Sequence, residues 1–231
     1  LYRNTTGGYN NAFGYGAMYY NTTGSSNVAT GWRSLHLNTI GNYNIAAGQQ
    51  ALYANTTGGS NVAVGITAMY NNTAGNFNIA VGRDALYLNT TGINNTAIGH
   101  KALHDNTTAG FLTAVGNESL YSNTTGTGNI AVGHQALRFN TTGGNNTAIG
   151  HTALWSNTTS AYNSAYGNTS LYSNTTGGSN TAFGALSLRY NTTASNNTAT
   201  GTSALYSNTT GSQNTASGNS ALNSNTTGYN N

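Results

Sequence analysis

Apolar residues along this chain come in two short bursts every seventeen residues and never in a long run. Between Asn55 and Asn71, Val62-Ala63-Val64 is one burst and Ala68-Met69-Tyr70 the other; Gly65 lies between them and Asn55-Thr56-Thr57-Gly58 stands ahead. Three residues rich in Val and Ile, bounded by Gly and Asn, have strand composition. The pattern therefore predicts two strands and two turns per unit. A helix does not fit, because the glycine and the Asn-Thr-Thr-Gly run recur before more than one or two helical turns could form. A three-sided coil would need a third burst that is absent. The expected fold is all-β, a parallel β-roll or β-solenoid with one coil per seventeen-residue repeat.

The frame holds without insertion or deletion through thirteen full units, Asn4 to Ser224, with residues 1–3 ahead and a partial unit at 225–231. It reads as a single repeat array over 1–231. Because it starts and stops inside a repeat, it is expected to be a piece of a longer chain. With each unit numbered from its Asn, position 1 is Asn and position 2 Thr throughout, and position 4 is Gly except at Ala109, Ser160 and Ala194. Position 7 is Asn except at Leu112, position 9 is Ala, position 11 is Gly and position 15 is Leu or Met.

One such unit cannot bury enough apolar surface to stand alone, so its stability must come from stacking on copies of itself. In coils about 4.8 Å apart, like residues stand over like. Amide ladders are expected at position 1 (Asn4, Asn21, Asn55, Asn89, Asn140) and at position 7 (Asn10, Asn27, Asn61, Asn95, Asn146). In unit 106–122, Ala109-Gly110 shifts the glycine and Leu112 interrupts the Asn rank, so that coil is expected to be the least regular. With positions 9 and 15 inside, alternation turns positions 8 and 10 outward. Val28, Ile45, Val62, Val64, Ile79, Val81, Ile98, Val132, Ile149 and Phe183 then make an apolar outer strip. Such a strip marks an interface, here between copies of the chain. From the sixth unit onward position 8 is largely Thr, and the interface there is expected to be wetter.

Composition narrows the classes. Charged residues are 4% of the chain, against about 25% in ordinary globular proteins, so Asn, Ser and Thr solvate the surface. The net charge of +3 is scattered and gives no basic cluster for nucleic acid. No stretch approaches the ~18 apolar residues of a membrane helix, so this segment is not expected to insert. There is no Cys. Asp84, Asp105 and Glu118 are the only acids and lie in different coils, so no carboxylate pair recurs at a working distance and neither an enzyme nor a cofactor is expected. His100, His134 and His151 share position 12. His134 and His151, in adjacent coils, could hold a metal where copies meet; the plain reading is a variable corner, since Tyr15, Trp32, Gln49 and Arg83 occupy it elsewhere. Position 16 carries Tyr19, Tyr53, Tyr70, Tyr87, Tyr121, Trp155, Tyr172 and Tyr206, rings that shield neighbouring coils or stack on sugars.

Twelve position-1 asparagines also have Thr two residues on, the pattern of an N-glycan acceptor: Asn4, Asn21, Asn55, Asn89, Asn106, Asn123, Asn140, Asn157, Asn174, Asn191, Asn208 and Asn225. A turn built of Asn, Thr and Gly for backbone reasons explains the same residues.

"NTAIGHTAL", "NIAVGHQAL" and "NNTAIGHKAL" resemble the head repeats of YadA-like trimeric autotransporter adhesins, and the related "NTTG..NTAIG..AL" arrays of phage tail-fibre-like and bacterial surface proteins. The resemblance spans the chain. It implies a left-handed roll, a homotrimer, and an extracellular fibre, on a cell surface, virion or matrix, that contacts a surface or glycan receptor. The seventeen-residue unit is longer than is common in adhesin heads, so its turn is enlarged. The functional expectation is a structural and adhesive fibre segment. An ice-binding solenoid and an N-glycosylated matrix filament are the alternatives.

Overall fold

The computed structural model describes residues 2–231, and among them the strand is the only regular element. The coils form two compact units, residues 1–112 and 113–231. In the first, β1 (Asn11–Phe13), β2 (Val28–Thr30), β3 (Ile45–Ala47), β4 (Val62–Val64), β5 (Ile79–Val81) and β6 (Thr96–Ile98) pair in parallel, each with the next. In the second, β7 (Thr113–Val115), β8 (Ile130–Val132), β9 (Thr147–Ile149), β10 (Ser164–Tyr166), β11 (Thr181–Phe183), β12 (Thr198–Thr200) and β13 (Thr215–Ser217) do the same. Register never slips: Ala63 faces Ala46 on one side and Ala80 on the other. The chain is a parallel β-solenoid with one coil per repeat.

Each strand covers positions 8 to 10, and β2 to β12 bury their central Ala completely, as at Ala29, Ala63 and Ala80, whereas Ala12 of the outermost β1 is exposed. Positions 14 and 15 complete the core, with Ala68 and Met69 fully enclosed. Gly at position 11 ends the strand for two reasons. Its φ of +134 at Gly65 is open to glycine alone, and a Cβ there would stand 2.6 Å from the carbonyl oxygen of Gly82 in the next coil.

The second burst is not a strand. Positions 13 and 15 are left-handed in coil after coil: φ is 55 at Gln50 and 54 at Leu52, 54 at Thr67 and 51 at Met69. The backbone still bonds between coils here. Leu52 N–H donates to Ala68 O at 2.9 Å, while Gln50 N–H donates the other way, to Trp32 O, at 2.8 Å. Alternating handedness replaces the extended pleat, so one strand and one tight, inter-coil-bonded turn take the place of the two strands expected. A left-handed Leu costs roughly 1–2 kcal/mol, and enclosing its side chain returns about 2–3. The turn that points Leu inward is therefore affordable in every coil.

The coil at 106–122 spans the division between the two units. Its turn is undisturbed. Ala109 holds position 4, and its carbonyl accepts from Asn95 at 2.9 Å and Asn106 at 3.1 Å. Leu112 N–H still donates to Asn95 Oδ1 at 3.1 Å, but its own side chain is apolar and buried, so the position-7 amide rank ends on it.

Candidate interaction surfaces

The two Asn ranks do different work. At position 1 the side chains bond to one another: Asn38 Nδ2 donates to Asn21 Oδ1 at 2.7 Å and to Gly41 O of its own turn at 3.0 Å, and Asn38 Oδ1 accepts from Asn55 at 2.8 Å. The ladder runs through Asn4, Asn21, Asn55 and Asn89 to Asn106 in the first unit, and from Asn123 through Asn140 to Asn225 in the second. At position 7 the partners are mainly backbone. Asn44 Oδ1 accepts the main-chain N–H of Asn61 at 3.1 Å, and Asn44 Nδ2 donates to Gly58 O at 2.8 Å. Asn55 donates to that same Gly58 oxygen at 2.9 Å. Both ranks converge on the position-4 carbonyl, which explains why position 1 is always Asn and position 7 departs from it only at Leu112. Asn10, Asn27, Asn95 and Asn146 repeat the pattern.

A third rank was hidden in the sequence. The Thr39 carbonyl accepts the Thr22 hydroxyl at 2.9 Å together with the N–H groups of Thr22, Thr23 and Gly24 at 3.0 to 3.1 Å. Position 2 thus bonds the neighbouring coil, whereas a turn-forming Thr is expected to bond its own backbone. Four donors on one oxygen are invisible until two coils are stacked.

Burial removes the basis for glycans on the turns. Asn21, Asn55, Asn89, Asn106, Asn123, Asn140, Asn157, Asn174, Asn191 and Asn208 are fully buried. In Asn55, Asn89, Asn140 and Asn191 both Nδ2 hydrogens are visibly committed, one to the ladder and one to the turn. A sugar on that nitrogen would have to break both bonds. Asn4 and Asn225, in the outermost described coils, are the more open of the twelve.

Position 16 is an unbroken ring stack in the first unit and is interrupted by Arg138 and Arg189 in the second. In the first unit Tyr2, Tyr19, His36, Tyr53, Tyr70, Tyr87 and His104 follow one another with centroids 4.9 to 5.5 Å apart and planes within 28° of parallel. In the second, Trp155 stacks on Tyr172 at 5.1 Å, and Arg138 lies over Tyr121 and Arg189 over Tyr172. Burial, and then the neighbouring phenols of Tyr53 and Tyr87, raise the pKa of Tyr70 above its ordinary value, with Arg33 opposing. Apart from the exposed Tyr2 at the end, the rings lie half-buried against each other. Their packing is explained without a ligand.

His134 and His151 also stack, at 5.1 Å and 9°. Among the described residues no third His, Cys, Asp or Glu joins them, and Thr152 Oγ1 lies 3.3 Å from His151 Nδ1. Glu118 accepts from Gln135 at 2.9 Å and pairs with Arg138 at 2.8 Å, a structural clamp between coils.

The strand face is open as expected. Val28, Ile45, Val64, Ile79, Val81, Ile98, Ile149 and Phe183 are exposed, while Val62 and Val132 are half-buried. A flat lattice of Thr at positions 8 and 10 occurs only in β12, at Thr198 and Thr200. Among the described residues no helix is long and apolar enough to cross a membrane.

These features define a β-solenoid repeat protein whose buried Asn ranks bond coil to coil and whose strand faces carry exposed apolar side chains. No protein-family model, curated protein or solved structure matches the chain.

Proposed function

We propose that this chain is a segment of an extracellular structural and adhesive fibre. Its coils supply length and stiffness, and its outward strand faces join copies of the chain into a homotrimer. The observation that supports this reading is the apolar strip of Val28, Ile45, Val64, Ile79, Val81 and Ile98, open to solvent along one edge-to-edge run of strands. The coil's own core is already complete in Ala and Leu, so these side chains contribute little to folding of the single chain. Trimeric state and extracellular setting follow from the likeness of the Asn-Thr-Ala-Ile-Gly wording to adhesin heads. Ice binding needs Thr pairs in successive coils, and a single coil supplies one. Light scattering on soluble material is expected to give three times the chain mass, and Val64→Lys with Ile79→Lys is expected to return monomer with the coil spectrum intact. A wild-type monomer at high concentration would overturn the proposal.

A further inference from the structure

Position 6, the residue before the Asn of the strand entry, is left-handed in the coils of both units. Asn94, Asn145 and Gly128 suit such a site. Four coils of the first unit instead place an aromatic ring there: Tyr9, Tyr43, Phe77 and Phe111, with φ of 58, 59, 58 and 62. These rings are 92%, 68%, 63% and 65% exposed. A bulky residue at positive φ is strained, and at this exposure it recovers little by burial. Folding therefore gives no reason for the rings.

Their spacing does suggest one. The four lie at intervals of 34 residues, two coils each, and the coils between them carry Ser26, Ser60 and Asn94. Strand register in this unit is strictly one coil per seventeen residues. The rings therefore form a single file at about 9.6 Å, twice the ordinary inter-strand spacing. In a β-1,4-linked chain of equatorially substituted pyranoses, each linkage turns the next sugar over, so every second sugar presents the same face. That repeat is close to two coils. The axial C–H bonds of a pyranose make a weakly positive apolar face that packs on the negative face of an aromatic ring.

We propose that the Tyr9, Tyr43, Phe77, Phe111 file is a binding surface for an extended β-1,4-linked polysaccharide, each ring stacking on alternate sugars. The site deepens the surface-contact part of the fibre reading. It is separable from self-association, because it lies on position 6 and not on the strand face of positions 8 and 10.

The test is co-sedimentation of the full chain with microcrystalline cellulose and, in parallel, with chitin. Amylose and dextran serve as controls that share the sugar chemistry but not the two-fold repeat. Tyr43→Ser with Phe77→Ser uses a residue that Ser26 and Ser60 show the coil accepts, and it is expected to weaken binding roughly tenfold or more. Tyr43→Ser with Ser60→Tyr keeps four rings but breaks their interval, and is also expected to bind more weakly than wild type. Light scattering on the same samples is expected to give an unchanged mass, which keeps failure here distinct from failure of the fibre assembly. Binding to cellulose alone or chitin alone identifies the sugar and supports the site. Absence of binding to both, equal binding to amylose, or wild-type binding by the ring-shifted variant overturns it.

Discussion

A leucine at positive φ is uncommon because its Cβ crowds the following carbonyl, yet Leu35, Leu52, Leu86 and Leu103 all adopt φ near 50 and are all fully buried. At this scale burial outweighs backbone preference, and two glycine positions separate the two effects. Gly65 combines a φ of +134 with a Cβ site 2.6 Å from Gly82 O, whereas Gly58, equally crowded with a Cβ site 2.5 Å from Gly75 O, has ordinary φ and stands where other coils carry Ala109, Ser160 and Ala194. Gly65→Ala is expected to cost at least about 1–3 kcal/mol for the backbone alone, and Gly58→Ala clearly less. Chemical denaturation midpoints measure both; equal losses would show that inter-coil crowding, and not φ, selects the glycine.

Within one coil, the element that sets the ring stack is the left-handed turn at positions 13 to 15, which holds position 16 at a constant height in each repeat. Stacking dries the phenol of Tyr70 and surrounds it with other phenols, so its folded pKa is raised. In the unfolded chain a phenol ionises near pH 10. Above that pH the unfolded state has lost a proton that the folded state keeps, so stability falls as pH rises. The contribution is fully present below pH ~10 and is lost as pH climbs through the raised folded value. An alkaline titration of tyrosinate absorbance is expected to show a late-ionising fraction, with unfolding favoured as it titrates. In Tyr53→Leu that fraction is expected to ionise earlier, because Tyr53 is one of the neighbours raising Tyr70; unchanged late ionisation would leave burial and Tyr87 as the causes.

Across the whole molecule, a chain with 4% charged residues stays regular by bonding each coil to the next along several parallel ranks. Glycan acceptance and ladder formation compete for the same Asn Nδ2. Material passed through a glycosylating secretory host is therefore expected to fold with Asn55, Asn89 and Asn140 bare, read by glycopeptide mapping of the coil-forming fraction. Folded chains carrying sugars on Asn55, Asn89 or Asn140 would refute the ladder assignment.

Periodicity alone determined the coil, its length, its inward Ala and Leu and its outward Val and Ile, because a strict seventeen-residue repeat with alternating burial admits one stacked solution. The position-1 ladder was legible for the same reason: identical amides at one height must meet. Three features needed the tertiary structure. The second burst reads as a strand because Leu and Ala favour no single backbone state in three residues, and only the need to point Leu inward while bonding both neighbours makes positions 13 and 15 left-handed. The Thr hydroxyls of position 2 found their acceptor in the next coil, a partner seventeen residues away that no local rule names. The aromatic file of Tyr9, Tyr43, Phe77 and Phe111 was present in the sequence as a 34-residue interval, but it gained meaning only when those rings proved exposed and strained while those of position 16 proved packed. Repetition specifies the backbone path through translation symmetry, whereas the variable positions acquire a role only from which side of the coil they reach.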